Sequence, residues 1–213
     1  MLTFLLPLFL FAACEGNGSS ADDTAETMAD STAVDTTVME DAPPRLTRAR
    51  NVFFNETLES GKLKFHVNSP NVDQQNTLVV ASEGMEVRDD TFQIIIQGRV
   101  TDAQIADLNA DTYPELYVFT ATPDEAKRGE VYAFASYANR TYGEVYVPAI
   151  SEDDPMMQDY TGQDEFELVD TALIRRFPLS SGRRSLIYKL EKGEANFRLE
   201  ARPMKQEGTG TQQ

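Results

Sequence analysis

The stretch VTDAQIADLNADTYPELYVFTA, residues 100–121, decides how the chain is read. It holds an apolar entry, a turn of the form Asp-x-Asn-x-Asp-x-x-Pro-Glu, and an alternating exit strand at Leu116, Tyr117, Val118 and Phe119. Asp107, Asn109 and Asp111 fall at every second residue, and Glu115 stands two positions after Tyr113. That spacing aims several oxygens at one small volume, as calcium loops do. Four side chains (Asp107, Asn109, Asp111 and Glu115) and the Tyr113 carbonyl make up a hard-oxygen set suited to calcium. The set departs from an EF-hand at two places: Thr112 stands where glycine permits the sharp bend, and Val118 where a bidentate glutamate would close the site. The same residues also form an Asx-type turn whose side chains cap backbone amides. Both alternatives, cation site and capped turn, stand open on sequence grounds.

Outward from this turn the period is mostly two, the signature of strands with one buried face. Leu63, Phe65 and Val67 alternate with Lys62, Lys64 and His66, and Phe92, Ile94 and Ile96 with Gln93, Ile95 and Gln97. Further short β segments fall at 78–80, 116–119, 131–134, 144–147, 166–169, 173–178, 185–190 and 197–201. Two places could hold a helical turn, 51–60 and 151–164. The expected fold is all-β, an antiparallel β-sandwich of about eight to ten short strands, spanning residues 51–205 with a disordered tail at 206–213.

The N-terminus does not belong to that domain. MLTFLLPLFLFAA, residues 1–13, is an uncharged apolar run too short to span a bilayer, and reads as the core of a signal peptide. Two alanines before Cys14, the sole cysteine, resemble the lipobox of bacterial lipoproteins, which implies lipidation at Cys14. A plain secretory signal is the alternative. Glu15 rather than Asp at the next position favours an outer-membrane anchor over inner-membrane retention. Residues 15–44 carry eight acidic and no basic side chains, without aromatics or periodicity. Such a segment cannot bury enough apolar area to offset its ordering entropy, so 14–50 reads as a disordered acidic tether.

The formal net charge is −16, half of it in residues 15–44, and no basic patch stands out. Nucleic acid is therefore excluded as a partner. Catalytic inventories are thin. His66 is the single histidine and alternates out of a strand, and Cys14 is taken by the signal, which removes Cys/His catalysis and Cys/His zinc sites. Carboxylate pairs such as Asp89-Asp90, Asp153-Asp154 and Asp164-Glu165 are read as solvated or turn-capping, so an enzyme is not expected. Residues 123–129, PDEAKRG, form a charged loop between two strands, with Tyr132, Tyr137, Tyr142 and Tyr146 close behind. These rings are candidates for an exposed binding surface.

The residues 100–120, EVYAFASY, YGEVYVPAIS, GQDEFELVDTALIRRFPL and GRRSLIYKLEKGEANFRL, in this order, resemble bacterial periplasmic inhibitors of i-type (invertebrate) lysozyme. The likeness runs from Leu63 to Leu199. It implies an antiparallel β-sandwich that inserts surface loops into the active-site cleft of a lysozyme. Family members carry a Ser/Gly-rich loop with a tyrosine where this chain has the charged residues 121–130, in which Gly129 is the only glycine. Here Lys127 or Arg128 would take that part by pairing with a glycosidase's carboxylates.

The expected function is that of an envelope lipoprotein binding a lysozyme-like glycosidase through Lys127, Arg128, Gly129, Tyr132 and Tyr137. It would reach the membrane only through its lipid, in the periplasm or at the outer membrane. The alternative is a calcium-binding structural or adhesive envelope module. No other cofactor is expected.

Overall fold

The computed structural model describes residues 53–72 and 75–204. The expected signal peptide at 1–13, the cysteine expected to be lipidated, Cys14, the expected tether at 14–50 and the expected tail at 206–213 lie outside the described residues.

Among the described residues, twelve strands form three four-stranded antiparallel sheets, each a meander. The first sheet is β1 (Phe54–Ser60), β2 (Leu63–Ser69), β3 (Asn76–Glu83) and β4 (Thr91–Ile96). The second is β5 (Arg99–Ala106), β6 (Glu115–Ala121), β7 (Gly129–Tyr137) and β8 (Thr141–Val145). The third is β9 (Glu165–Val169), β10 (Ala172–Leu179), β11 (Gly182–Lys192) and β12 (Phe197–Pro203). A 3-10 turn, Pro155–Met157, interrupts the 151–164 loop, where a helical turn was expected; Asp154 caps it by accepting the Met156 N–H at 2.8 Å.

The second sheet is the middle layer, with a core against each face. On one face Leu116, Val118, Phe134 and Tyr142 pack against Leu63, Phe65, Val67, Leu78, Val80 and Ile96 of the first sheet. On the other, Tyr117, Phe119, Val131, Ala133 and Val145 meet Leu173, Phe177, Leu186, Tyr188 and Leu199 of the third. Alternation makes this possible, because successive side chains of one strand point to opposite faces. The register pairs Tyr117 with Ala133 and Leu116 with Phe134, so bulk on β6 meets a small neighbour on one face and an aromatic on the other. Phe65 stacks on Tyr142 with centroids 4.8 Å apart, and Phe119 on Phe166 at 5.2 Å.

Two asparagines join the first sheet to the second. Asn71, buried at φ 49°, donates to the Val100 carbonyl at 2.8 Å and accepts the Val100 N–H at 2.9 Å. Asn76 donates to the Gly98 carbonyl at 2.6 Å, and a Cβ on Gly98 would lie 2.4 Å from the Ala121 carbonyl oxygen.

The all-β sandwich expectation agrees with this architecture, but the strand count is higher and the layers are three. Residues 54–60 are strand, not helical turn. Phe54 and Leu58 sit four apart, a spacing that one face of a helix and one face of a strand share. β5 escaped notice because a bulge between Val100 and Asp102 breaks its alternation. Replacing Phe134, which is fully buried in the middle layer, by Ala is expected to cost about 3–5 kcal/mol in urea unfolding, and the exposed Ile95→Ala within about 0.5 kcal/mol of zero.

Candidate functional site

The organising turn closes through its own side chains. Asp107 accepts the Asp111 N–H at 3.0 Å and the Thr112 N–H at 2.8 Å through its two oxygens. Asn109 accepts the Asp111 N–H at 2.9 Å and donates to Asp111 Oδ2 at 2.9 Å, while Asp111 Oδ1 accepts from Tyr113 N–H at 2.9 Å. These bonds hold Ala110 at φ 57° and Thr112 at φ 71°, left-handed conformations that a β-branched residue strongly resists. The position of Thr112 does demand a glycine-like backbone, and Asp107 enforces it.

Glu115 enters this turn from β6. It is almost fully buried, accepts the Leu108 N–H at 2.7 Å and receives the Tyr117 hydroxyl at 3.4 Å. Carboxylate oxygens of Asp107, Asp111 and Glu115 lie within 4.8 Å of one another. Burial, and then the charges of Asp107 and Asp111, push the Glu115 carboxyl up to about 7 against the amide bond from Leu108. Burial also raises the Tyr117 hydroxyl well above its ordinary range. Of the five expected donors, three carboxylates converge, and these could hold a hard cation such as calcium. Asn109 is instead bound to Asp111.

The charged loop is also closed on itself. Thr122 N–H donates to the Arg128 carbonyl at 2.9 Å, and Thr122 Oγ1 accepts the Arg128 N–H at 2.9 Å. Asp124 accepts from the Thr122 hydroxyl at 2.6 Å and from Lys127 N–H at 3.1 Å. The Thr122 hydroxyl holds the Asp124 carboxyl below its ordinary range, helped by the Arg128 charge. Lys127, at φ 46°, and Arg128 are exposed, and among the described residues neither forms an ion pair.

Beneath the loop lies a buried anchor. Asp164 and Arg175 pair at 2.6 Å, both almost wholly shielded from solvent. Asp164 Oδ2 also accepts the Gly129 N–H at 2.7 Å and the Tyr160 hydroxyl, and Arg175 donates to Tyr160 Oη at 3.1 Å. Burial and the Asp164 contact raise the Tyr160 hydroxyl to about 12. Burial works against the Arg175 charge, but Asp164 outweighs it, so the guanidinium stays protonated. Its carbon sits 5.2 Å from the Tyr160 ring centroid and 5.6 Å from that of Phe177. Gly129 and Gly162 let the segments touch: a Cβ on Gly129 would lie 2.6 Å from Phe166 Cε2, and one on Gly162 2.0 Å from the Ala126 carbonyl oxygen. Gln163 N–H completes the junction, donating to that carbonyl at 2.6 Å.

The residues expected to bind a partner are thus only partly brought together. Lys127, Arg128 and Gly129 adjoin, although Gly129 is buried. Tyr132 is half-buried and hydrogen-bonds Glu130 at 2.7 Å. Tyr137 lies at the far end of β7, roughly 26 Å away at the usual strand rise, where it packs on Phe197 at 5.3 Å. Tyr142 is a core residue, because both faces of its sheet are covered; only Tyr146 among these rings is exposed. Asp164, grouped above with solvated or turn-capping acids, is the buried partner of Arg175. The signal for it was Arg175 itself, which alternation places inward between Leu173 and Phe177, a position that requires a buried counter-charge.

No family model matches this chain, and no curated protein matches it either.

Glu115 makes stability pH-dependent in the metal-free protein. Its folded pKa, about 7, lies above the ordinary 4.5, so its contribution is complete below 4.5 and is lost as pH rises through 7. The loss amounts to about 3 kcal/mol. In chelator, wild type is expected to lose this much relative to Glu115→Gln between pH 4 and pH 8, as measured by paired denaturation curves.

Proposed function

We propose that this chain is a lipid-anchored protein of the bacterial cell envelope that binds a lysozyme-like glycosidase and blocks its cleft with the loop at 122–128. One observation carries the proposal: a loop closed by its own hydrogen bonds, seated on the buried Asp164–Arg175 pair, exposes two adjacent cations on a chain of net charge −16. A preformed loop loses little entropy on docking, which favours affinity. Lys127 and Arg128 would approach the paired carboxylates that glycosidases use. The order of motifs from Leu63 to Leu199, similar to that of lysozyme inhibitors, supports the same partner. The negative field of the chain would speed encounter with a basic lysozyme and make binding salt-sensitive. The alanine pair before Cys14 supports a lipid tether, which the acidic residues 15–44 would extend from the membrane.

The mature full-length protein, assayed against c-, g- and i-type lysozymes, is expected to inhibit at least one of them. Lys127→Ala with Arg128→Ala is expected to weaken that inhibition at least tenfold without changing the melting temperature. Absence of both inhibition and complex formation across the panel would sink the proposal.

A second reading rests on Asp107, Asp111 and Glu115, whose convergence within 4.8 Å favours a calcium-binding envelope module. Under it, calcium at millimolar concentration raises the melting temperature by several degrees and flattens the Glu115 pH dependence, because the ion binds the carboxylate form. An unchanged melting temperature would leave the turn as a purely structural cap.

A further inference from the structure

β7 has a neighbour along only half of one edge. β6 pairs with it over its whole length, from Gly129 to Ala135 and beyond, but β8 pairs only from Ala133 to Tyr137. The cause is a change of partner. Continuing the β8 register would set Tyr146 opposite Tyr132 and Val147 opposite Val131. Instead Tyr146 leaves for β12, donating its N–H to the Phe197 carbonyl at 3.0 Å and accepting the Leu199 N–H at 2.9 Å. Pro148, which would follow opposite Glu130, has no N–H to offer.

The direction of the backbone groups along this edge follows from the ladder. Arg128 and Ser136 turn their peptide groups to the β6 side, towards Thr122 and Pro114 respectively. In an antiparallel strand alternate residues share a direction, so Gly129 and Val131 turn theirs the other way. Gly129 confirms this by donating to Asp164. The N–H and C=O of Val131 therefore face the gap, and no backbone bond from residue 147 reaches them among the described residues.

The gap is a groove of about 920 Å³ between β7 and residues 146–160. Arg184 fixes its far wall by donating to the carbonyls of Pro155, Met156 and Gln158 at 2.9, 3.1 and 3.1 Å. Its lining includes the exposed carboxylates Glu130, Glu144, Glu152 and Asp159, with Arg128 as the one exposed cation. Tyr132 and the exposed Tyr146 supply apolar surface.

We propose that this groove takes up an extended, lysine- or arginine-bearing peptide segment of a partner protein, which adds to the free half-edge of β7. Val131 supplies the ladder bonds, as in other strand additions to an open sheet edge. Glu130 and Glu144 stand on one face of this edge and select basic side chains, and the alternate, apolar side chains of the peptide rest on Val131, Val147, Ile150 and Met157 on the other face. The chain's own residues 15–44, acidic and without a single lysine or arginine, are the wrong sign to fill it. This goes beyond inhibition of a glycosidase and does not depend on the loop at 122–128.

The test uses the full-length protein and a capped eight-residue peptide alternating lysine and valine. Titration is followed by amide chemical shifts and hydrogen exchange. The expected result is saturable binding that slows exchange at Val131. Methylating the alternate peptide amides that face the sheet should weaken binding at least tenfold. So should the exposed double variant Glu144→Lys, Glu152→Lys, with the same melting temperature as wild type. A glutamate–valine peptide should bind at least tenfold more weakly than the lysine one. Equal affinity of the methylated peptide, or shifts confined to other surfaces, would overturn the proposal. So would a tenfold gain in peptide affinity on deleting residues 15–44, which would make the chain's own tether the occupant.

Discussion

The central strand of the middle sheet has no solvent-facing side, and most of the structure follows from that constraint. Six consecutive residues of β6, from Glu115 to Thr120, are buried. A strand in that position must be apolar at odd and even positions alike, which Leu116, Tyr117, Val118 and Phe119 satisfy. Each face then needs a covering sheet of its own, so the domain takes three layers where a half-polar strand would have needed two. The one carboxylate in the run, Glu115, sits at its end, where the 107–115 turn supplies a backbone donor. Burying it there is costly, and the cost appears as a carboxyl that holds its proton towards neutral pH.

β2 and β4 were the most legible strands. Leu63, Phe65 and Val67, and likewise Phe92, Ile94 and Ile96, alternate with more exposed neighbours, and period two is readable without knowing the partner, whereas β1 in the same sheet shares its spacing with a helix. β6 reads as a strand as well, but its sequence does not say that both faces are covered, because tyrosine and phenylalanine fit a half-exposed strand equally well. The third layer depends on which sheets stack, a long-range matter that local pattern does not encode. Similarly, the 107–115 turn was legible because its bonds join residues at most seven apart. The anchor under the charged loop was not, since Gly129 and Asp164 are 35 residues apart. Arg175, inward-facing in an apolar strand, was the visible clue that some distant acid had to meet it.

That pair also explains why a loop without regular structure keeps one shape. A buried ion pair contributes little net stability by itself, but losing either member strands a charge in low dielectric, at a cost of about 3–5 kcal/mol. Asp164 and Arg175 avoid this by sharing Tyr160 and the Gly129 amide, so the ends of the loop are held by the same bonds that satisfy the charges. The neighbouring strand change at Tyr146 shows the opposite economy: β12 gains two backbone bonds, and half an edge of β7 goes without.

The seat of the loop lies below its tip. Gly129, Gly162, Asp164 and Arg175 hold the base, while Pro123, Asp124, Glu125 and Lys127 stand in solvent. Identity of the tip is thereby separated from integrity of the fold. Descendants of such a chain can rewrite a handful of adjacent codons and change what they recognise without renegotiating the core. The same separation makes the loop a natural point for grafting foreign recognition sequences onto an otherwise unaltered scaffold.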